Sequence, residues 1–237
     1  KCRKLFKEKI IKSHQFIDTK ELPRKIFDLK GKNFIIDKNS CSIYYEDLIK
    51  SKFKIASRED PTYFLKSIKN KTEIKNMKKA HILDGVALTK FLFWIKKVNK
   101  KKITEVDAQN KLEKFRRMSK NFLYPSFDTI AASGKNGAIV HYRANKKNCK
   151  HIKKSDIFLC DSGGQYKYGT TDVTRTICFS NQSQSIKNIF TYVLKGHIAV
   201  ATTDLKKYNI GQKIDQRARK FLKTHNLDYA HGTGHGV

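Results

Sequence analysis

Apolar residues recur along the chain with two different spacings, and the change from one to the other outlines the fold. Met77, Ala80, Leu83, Ala87, Phe91, Trp94 and Val98 follow the three-and-four spacing of a single helix face, which predicts one long amphipathic helix. Thr104-x-x-Asp107 has the form of a capping box, and the helix it opens carries Ala108, Leu112 and Phe115. From residue 127 the spacing becomes strand-like, with runs at 127–132, 138–142, 157–161 and 171–179. The last two flank Gly163-Gly164-Gln165-Tyr166-Lys167-Tyr168-Gly169, a turn-rich connection that predicts a β-hairpin. Helices are expected at 186–202 and 212–225, after which the chain runs through His231-Gly232-Thr233-Gly234-His235-Gly236 to Val237.

Before residue 70 the pieces are shorter. Residues 33–37 read as extended, 44–50 as helical and 53–56 as extended again, with Asp60-Pro61 as a turn. This layout suits the tail of an α/β unit, with a boundary in the charged stretch 66–72. The whole pattern is α+β, with helices covering an antiparallel or mixed sheet.

Composition narrows the classes. With 237 residues, 39% of them hydrophobic, the chain can bury one full core and part of another. No uncharged apolar run reaches the roughly 18 residues a membrane span needs, and the best stretch, 86–95, is broken by Lys90, so no membrane partner is expected. The net charge of +30 invites a nucleic-acid reading. The lysines are spread evenly, however, and rise together with Asn and Ile, as AT-rich codons would produce on any fold. No basic stripe interleaved with aromatics is present, so only adventitious binding to polyanions is expected and no specific nucleic-acid partner. The cysteines Cys2, Cys41, Cys149, Cys160 and Cys178 are odd in number and form no C-x-x-C pair, which suits a reducing compartment. Cys160 and Cys178 lie in strand-like runs and are expected to be buried and inert. The opening Lys1-Cys2-Arg3-Lys4 has neither an initiator Met nor a signal segment behind it. Both ends are expected to be cut.

Chemistry concentrates in the second half. Asp161 ends an apolar strand, where an unpaired carboxylate would be costly. Asp172 opens the predicted return strand, and in such a hairpin the two side chains can converge on one face. Converging carboxylates repel unless a cation lies between them, and hard divalent ions meet that need. Taken alone, the pair fits equally well an Asp161 that caps a turn and an Asp172 paired with Arg175. The His231–His235 segment shifts that balance: two imidazoles on a glycine-rich backbone can approach a metal or substrate closely. His141 interrupts the apolar alternation of Asn136-Gly137-Ala138-Ile139-Val140-His141-Tyr142, as a satisfied core histidine or as a wall of the site. His14, His81, His151, His197 and His225 read as structural or surface residues, with His197 on the inner half of its helix.

Together, Phe127-Asp-Thr-Ile130, Asn136 to Tyr142, Asp161-Ser-Gly-Gly-Gln-Tyr166, Gly169-Thr-Thr-Asp-Val-Thr-Arg-Thr176, Lys195-Gly-His-Ile-Ala199 and His231 to Gly236 resemble the Xaa-Pro aminopeptidase (aminopeptidase P) family, in its long three-domain cytosolic form. The resemblance covers about 71 to 237. It implies a pita-bread (creatinase/aminopeptidase-like) α+β catalytic domain, of which 71–237 would be the N-terminal part. Residues 1–70 would be the C-terminal part of a creatinase-N-like second domain, similar in layout only. It further implies two divalent metal ions, usually Mn(2+) with Co, Zn or Fe as alternatives, held by Asp, Asp, His, Glu and Glu. Asp161, Asp172 and His235 match the first three ligands, while His141 and His231 match histidines that assist catalysis. The two Glu ligands would follow the His motif, and every Glu here precedes Asp161, so a catalytically incomplete fragment is expected. Peptides with an Xaa-Pro N-terminus, a homodimer and a cytoplasmic location are also implied. Prolidase-type dipeptidases and methionine aminopeptidases on the same fold, or a non-catalytic pita-bread binding module, are the rival readings.

Overall fold

The computed structural model describes residues 17–236, and the chain separates into two units between Lys69 and Asn70. Cys2, His14 and Val237 lie outside the described residues. In the first unit, α1 (Leu22–Asp28), β1 (Asn33–Ile36), α2 (Ile43–Lys50), β2 (Lys54–Ser57) and α3 (Pro61–Ser67) follow one another. β1 and β2 pair in parallel, so the chain must cross between them, and α2 makes that crossing. Ile26, Ile36, Ile49 and Phe53 form the small core. The turn expected at Asp60-Pro61 is instead a helix start. The Asp60 carboxylate accepts from Thr62 N at 2.8 Å while Pro61 occupies the first turn, where its missing N–H costs nothing.

The second unit begins with α4 (Lys71–Lys97), capped by a reciprocal Asn70–Glu73 box. Next comes α5 (Glu105–Arg117), whose start carries the expected Thr104–Asp107 box. The strands are β3 (Phe122–Pro125), β4 (Ile130–Ser133), β5 (Ile157–Ser162), β6 (Gly164–Tyr166), β7 (Gly169–Thr170) and β8 (Val173–Cys178). They form two antiparallel sheets, ordered β4-β5-β8 and β3-β6-β7. The predicted hairpin is therefore real but crosses from one sheet to the other. Gly163 sits at the crossing, where a Cβ would collide with the Thr171 carbonyl and Ser126 Oγ, so only glycine fits. Two helices close the unit, α6 (Gln184–Ala201) and α7 (Gly211–Lys223), packed so closely that Gly196 abuts the Ala218 backbone.

Leu88, Phe91 and Ile95 of α4, Ala108 and Leu112 of α5, and Ala131, Phe158, Cys160 and Ile177 of the sheet build the main core. Burial alternates along β5, so Phe158, Cys160 and Ser162 face this core and Asp161 faces away from it. The same alternation corrects the expectation for Cys178: Ile177 is buried and Cys178 is exposed. His197 is exposed as well, not inward on its helix. Cys160 is buried as expected, and desolvation pushes its thiol up to about 12. Residues 138–142, expected as a strand, are instead the end of a 3-10 turn at Gly134–Ala138 and the loop after it.

One ionic pair lies inside this core. Arg116 donates to both oxygens of Asp84 (2.7 and 3.1 Å) and to Ser162 Oγ (3.0 Å), and the Tyr166 hydroxyl donates to Asp84 Oδ1 at 2.8 Å. Both charged side chains are only 1% exposed. Either charge alone would be uncompensated in a low-dielectric interior. Asp84→Asn or Arg116→Met alone should therefore cost about 3–5 kcal/mol in denaturant unfolding, and the double change Asp84→Leu/Arg116→Met should recover most of it. A double variant as unstable as either single one would contradict this account.

Candidate metal centre

The face of β5 turned away from the core carries Asp161, and the hairpin register decides what meets it. Asp161 pairs with Thr174 across the ladder and Ser162 with Val173, so Asp172 lies one position before the start of β8. The alternation puts residues 172 and 174 on the same face, which makes Asp172 the diagonal neighbour of Asp161. The electrostatics agree. Desolvation raises the Asp161 pKa; the Thr174 side chain opposes that by hydrogen bonding, Asp172 adds to it through like-charge repulsion, and His141 and His235 oppose it. Asp161 Oδ1 is buried with no hydrogen-bond partner. The alternative pairing of Asp172 with Arg175 does not form: Arg175 donates to the Thr174 carbonyl, and Asp172 Oδ2 lies 3.4 Å from His235 Nε2.

His235 arrives on a segment held by side chains of α7. Arg219 grips Asp215 through its Nε at 2.9 Å, Asp228 at 2.8 Å, the Tyr229 carbonyl at 2.6 Å and the His231 carbonyl at 2.8 Å. Its guanidinium also stacks on the Tyr229 ring at 3.9 Å. The Thr233 hydroxyl contacts Asp215 and Tyr229 Oη. These contacts fix a stretch of backbone that its glycines would otherwise leave loose. His231 faces other partners: its ring stacks on Tyr229 with 4.7 Å between centroids, and its Nδ1 donates to the Gly232 carbonyl.

His141 comes from the loop between β4 and β5. Its φ of 57° is a left-handed conformation, costing a non-glycine residue on the order of 1 kcal/mol or more. Residues around it pack on a carboxylate that the sequence alone did not single out. Glu105, fully buried, accepts from Ser133 N, Asn136 Nδ2, Tyr142 Oη and Lys150 N at 2.7–3.1 Å. Burial and this carboxylate together push the Tyr142 hydroxyl up to about 12.

The structure thus sets Asp172 diagonal to Asp161 and His235 against Asp172, with His231 on the same held segment and His141 on the loop between β4 and β5. The donor types suit a divalent cation, and such an ion would partner the orphaned Asp161 oxygen while relieving the repulsion with Asp172. Among the described residues, no three His, Cys, Asp or Glu donors are gathered closely enough to hold an ion by themselves. The shell is compatible in chemistry and open in geometry.

The raised pKa has a definite consequence for stability. Because the folded protein holds the Asp161 proton more tightly than the unfolded chain, the group favours folding below the unfolded value. That contribution is lost as pH rises through the folded pKa. In chelator, Asp161→Asn should therefore melt higher than the native protein at neutral pH, with the gain disappearing below about pH 4. Equal melting temperatures at neutral pH would show that ionised Asp161 carries no penalty.

The profile of metallopeptidase family M24 matches residues 75–237. "Probable Xaa-Pro aminopeptidase P" of Paracoccidioides brasiliensis (strain Pb03) is 48% identical over 187 residues, covering 78% of this chain and 30% of that protein. The protein of the same name from Podospora anserina is 42% identical over 229 residues, 94% of this chain and 34% of its own length. Among solved structures, the X-prolyl aminopeptidase of Caenorhabditis elegans, described as a cytosolic enzyme with a di-nuclear active site, superposes with a TM-score of 0.71. It is 32% identical, over 81% of this chain and 31% of its own. The prolidase of Pyrococcus horikoshii OT3 gives a TM-score of 0.70 at 25% identity, over 89% of this chain and 58% of its own. The chain spans about a third of the length of the curated relatives it matches. Its second unit has the α+β pita-bread architecture of these neighbours, and the chain belongs to metallopeptidase family M24.

Proposed function

We propose that the protein is a metal-dependent aminopeptidase that releases the N-terminal residue from peptides with proline in the second position. The observation that carries the reading is the orphaned Asp161 carboxylate oxygen on the face where the register makes Asp172 its diagonal neighbour, with His235 Nε2 3.4 Å from Asp172 Oδ2. The Xaa-Pro aminopeptidase names of its relatives support it. Asp161, Asp172 and His235 would hold two divalent ions, Mn(2+) by preference, together with two Glu ligands. Bound there, such ions supply Lewis acidity and an acidified water, the chemistry an unactivated amide requires.

The chain's own residues supply the rest. Hydrolysis puts the hydroxyl of water on the carbonyl carbon and a proton on the departing prolyl nitrogen. His141, an imidazole on the loop between β4 and β5, is suited to moving that proton. His231, on the segment gripped by Arg219, would position the peptide. An Xaa-Pro bond is a tertiary amide without an N–H, so recognition of the proline must come from the shape of its ring. We further infer peptide substrates, a homodimer, a cytoplasmic setting and a first unit that is the end of a creatinase-N-like domain. Among the described residues no helix is long and apolar enough to cross a membrane.

The test is release of Xaa from an Xaa-Pro-Yaa peptide by the natural full-length protein with Mn(2+). Activity should vanish in chelator, and His141→Ala should lower kcat by about 10²–10⁴-fold. Cleavage restricted to Xaa-Pro dipeptides would instead favour a prolidase, removal of N-terminal Met a methionine aminopeptidase, and metal binding without any cleavage a binding module.

A further inference from the structure

Among the described residues other than glycine, only His141 and Asn226 have positive φ. An imidazole residue stays in that region only where its surroundings hold it. For His141 the restraint lies on both sides in sequence. Before it, Ser133 N and Asn136 Nδ2 donate to Glu105, and Asn136 Nδ2 reaches both of its oxygens, at 2.9 and 3.1 Å. Immediately after it, the Tyr142 hydroxyl reaches Glu105 Oε2 at 2.9 Å, and Lys150 N meets the same oxygen at 3.0 Å. Asn136 Nδ2 also donates to Tyr142 Oη at 2.9 Å, which ties the two ends of the segment to each other. Inside it, Ile139 N bonds to the Asn136 carbonyl and Tyr142 N to the Ile139 carbonyl. The anchor itself does not move easily, because Glu105 opens α5 and has no exposed surface.

We propose that Glu105 is a positioning residue for His141. By gripping Asn136 and Tyr142 at once, this carboxylate leaves the residues between them a single course. On that course His141 turns left-handed. Asn136 and Tyr142 carry the grip, and Glu105 itself stays behind the loop. The kinetic consequence rests on the aminopeptidase reading above, whereas the structural consequence does not.

Glu105→Gln keeps the shape but replaces an acceptor oxygen with an amide that cannot receive the same donors, and Tyr142→Phe removes one link while keeping the ring. In the natural full-length protein with Mn(2+) and an Xaa-Pro-Yaa peptide, Glu105→Gln should lower kcat by about 10- to 100-fold through a misplaced His141. KM should stay within about twofold, and in a His141→Ala background the same substitution should change kcat by less than about twofold. Tyr142→Phe should show the same pattern with a smaller loss, and it carries the test if Glu105→Gln does not fold. Crystal structures of the variants should show His141 leaving positive φ. An equal loss of kcat with and without His141, or a positive φ retained in both variants, would overturn the inference. If the native protein cleaves no Xaa-Pro peptide, the functional reading fails separately, and the backbone of residue 141 in the variants still decides this one.

Discussion

Arg116 brings a guanidinium into an interior otherwise built from Leu88, Phe91, Leu112, Phe158 and their neighbours, and it is tolerable there only because Asp84 lies opposite it. The pair constrains more than its own two helices. Asp84 sets the rotation of α4, Arg116 that of α5, Ser162 the inward face of β5, and the Tyr166 hydroxyl the end of β6, the middle strand of the second sheet. A buried ion pair adds little net stability compared with apolar groups of the same volume, but it tolerates few alternative arrangements. With Ser162 committed inward, strand alternation sends Asp161 outward. The identity of the face that carries the candidate metal centre therefore depends on this buried contact.

On that outward face the balance is reversed. Asp172 adds to the cost of ionising Asp161, and one Asp161 carboxylate oxygen has no partner. A folded protein seldom keeps such a conflict without a use for it. The segments that supply the imidazoles are held from behind by charged side chains that take no part in the cluster: Glu105 for the His141 loop and Arg219 for the His231–His235 segment. Together with Arg116 behind Asp161, these supports restrain the three chain segments that carry the candidate site residues.

Much of this was legible in the sequence. The stripe from Met77 to Val98, the Thr104–Asp107 box and the turn-rich run after Asp161 each express a local rule, and each element formed. The supports carried a weaker signal that was present all the same. Asp84 stands four positions after Ala80 and four before Leu88, and Arg116 four after Leu112, so both charges lie on apolar helix stripes. Glu105 looked like an ordinary acidic residue in a first helical turn, and nothing local distinguishes it from one. The expected strand at 138–142 failed for the same reason. Apolar alternation there was real, but Glu105 captures Asn136 and Tyr142 and bends the segment out of extended geometry.

Chain order and spacing by themselves determined most of the elements and the hairpin, because caps and periodicity act over a few residues, and the quoted motifs carried the resemblance to the family. They also nominated Asp161, Asp172, His141, His231 and His235. Which of these meet was decided only by tertiary structure. The register Asp161–Thr174 makes Asp172 a diagonal neighbour, and the Arg219 contacts deliver His235 to it. His141 sits at a left-handed turn, while His231 stacks on Tyr229. Pairing across a sheet and burial of a charge are long-range events, and their outcome depends on partners dozens of residues away that no local pattern specifies.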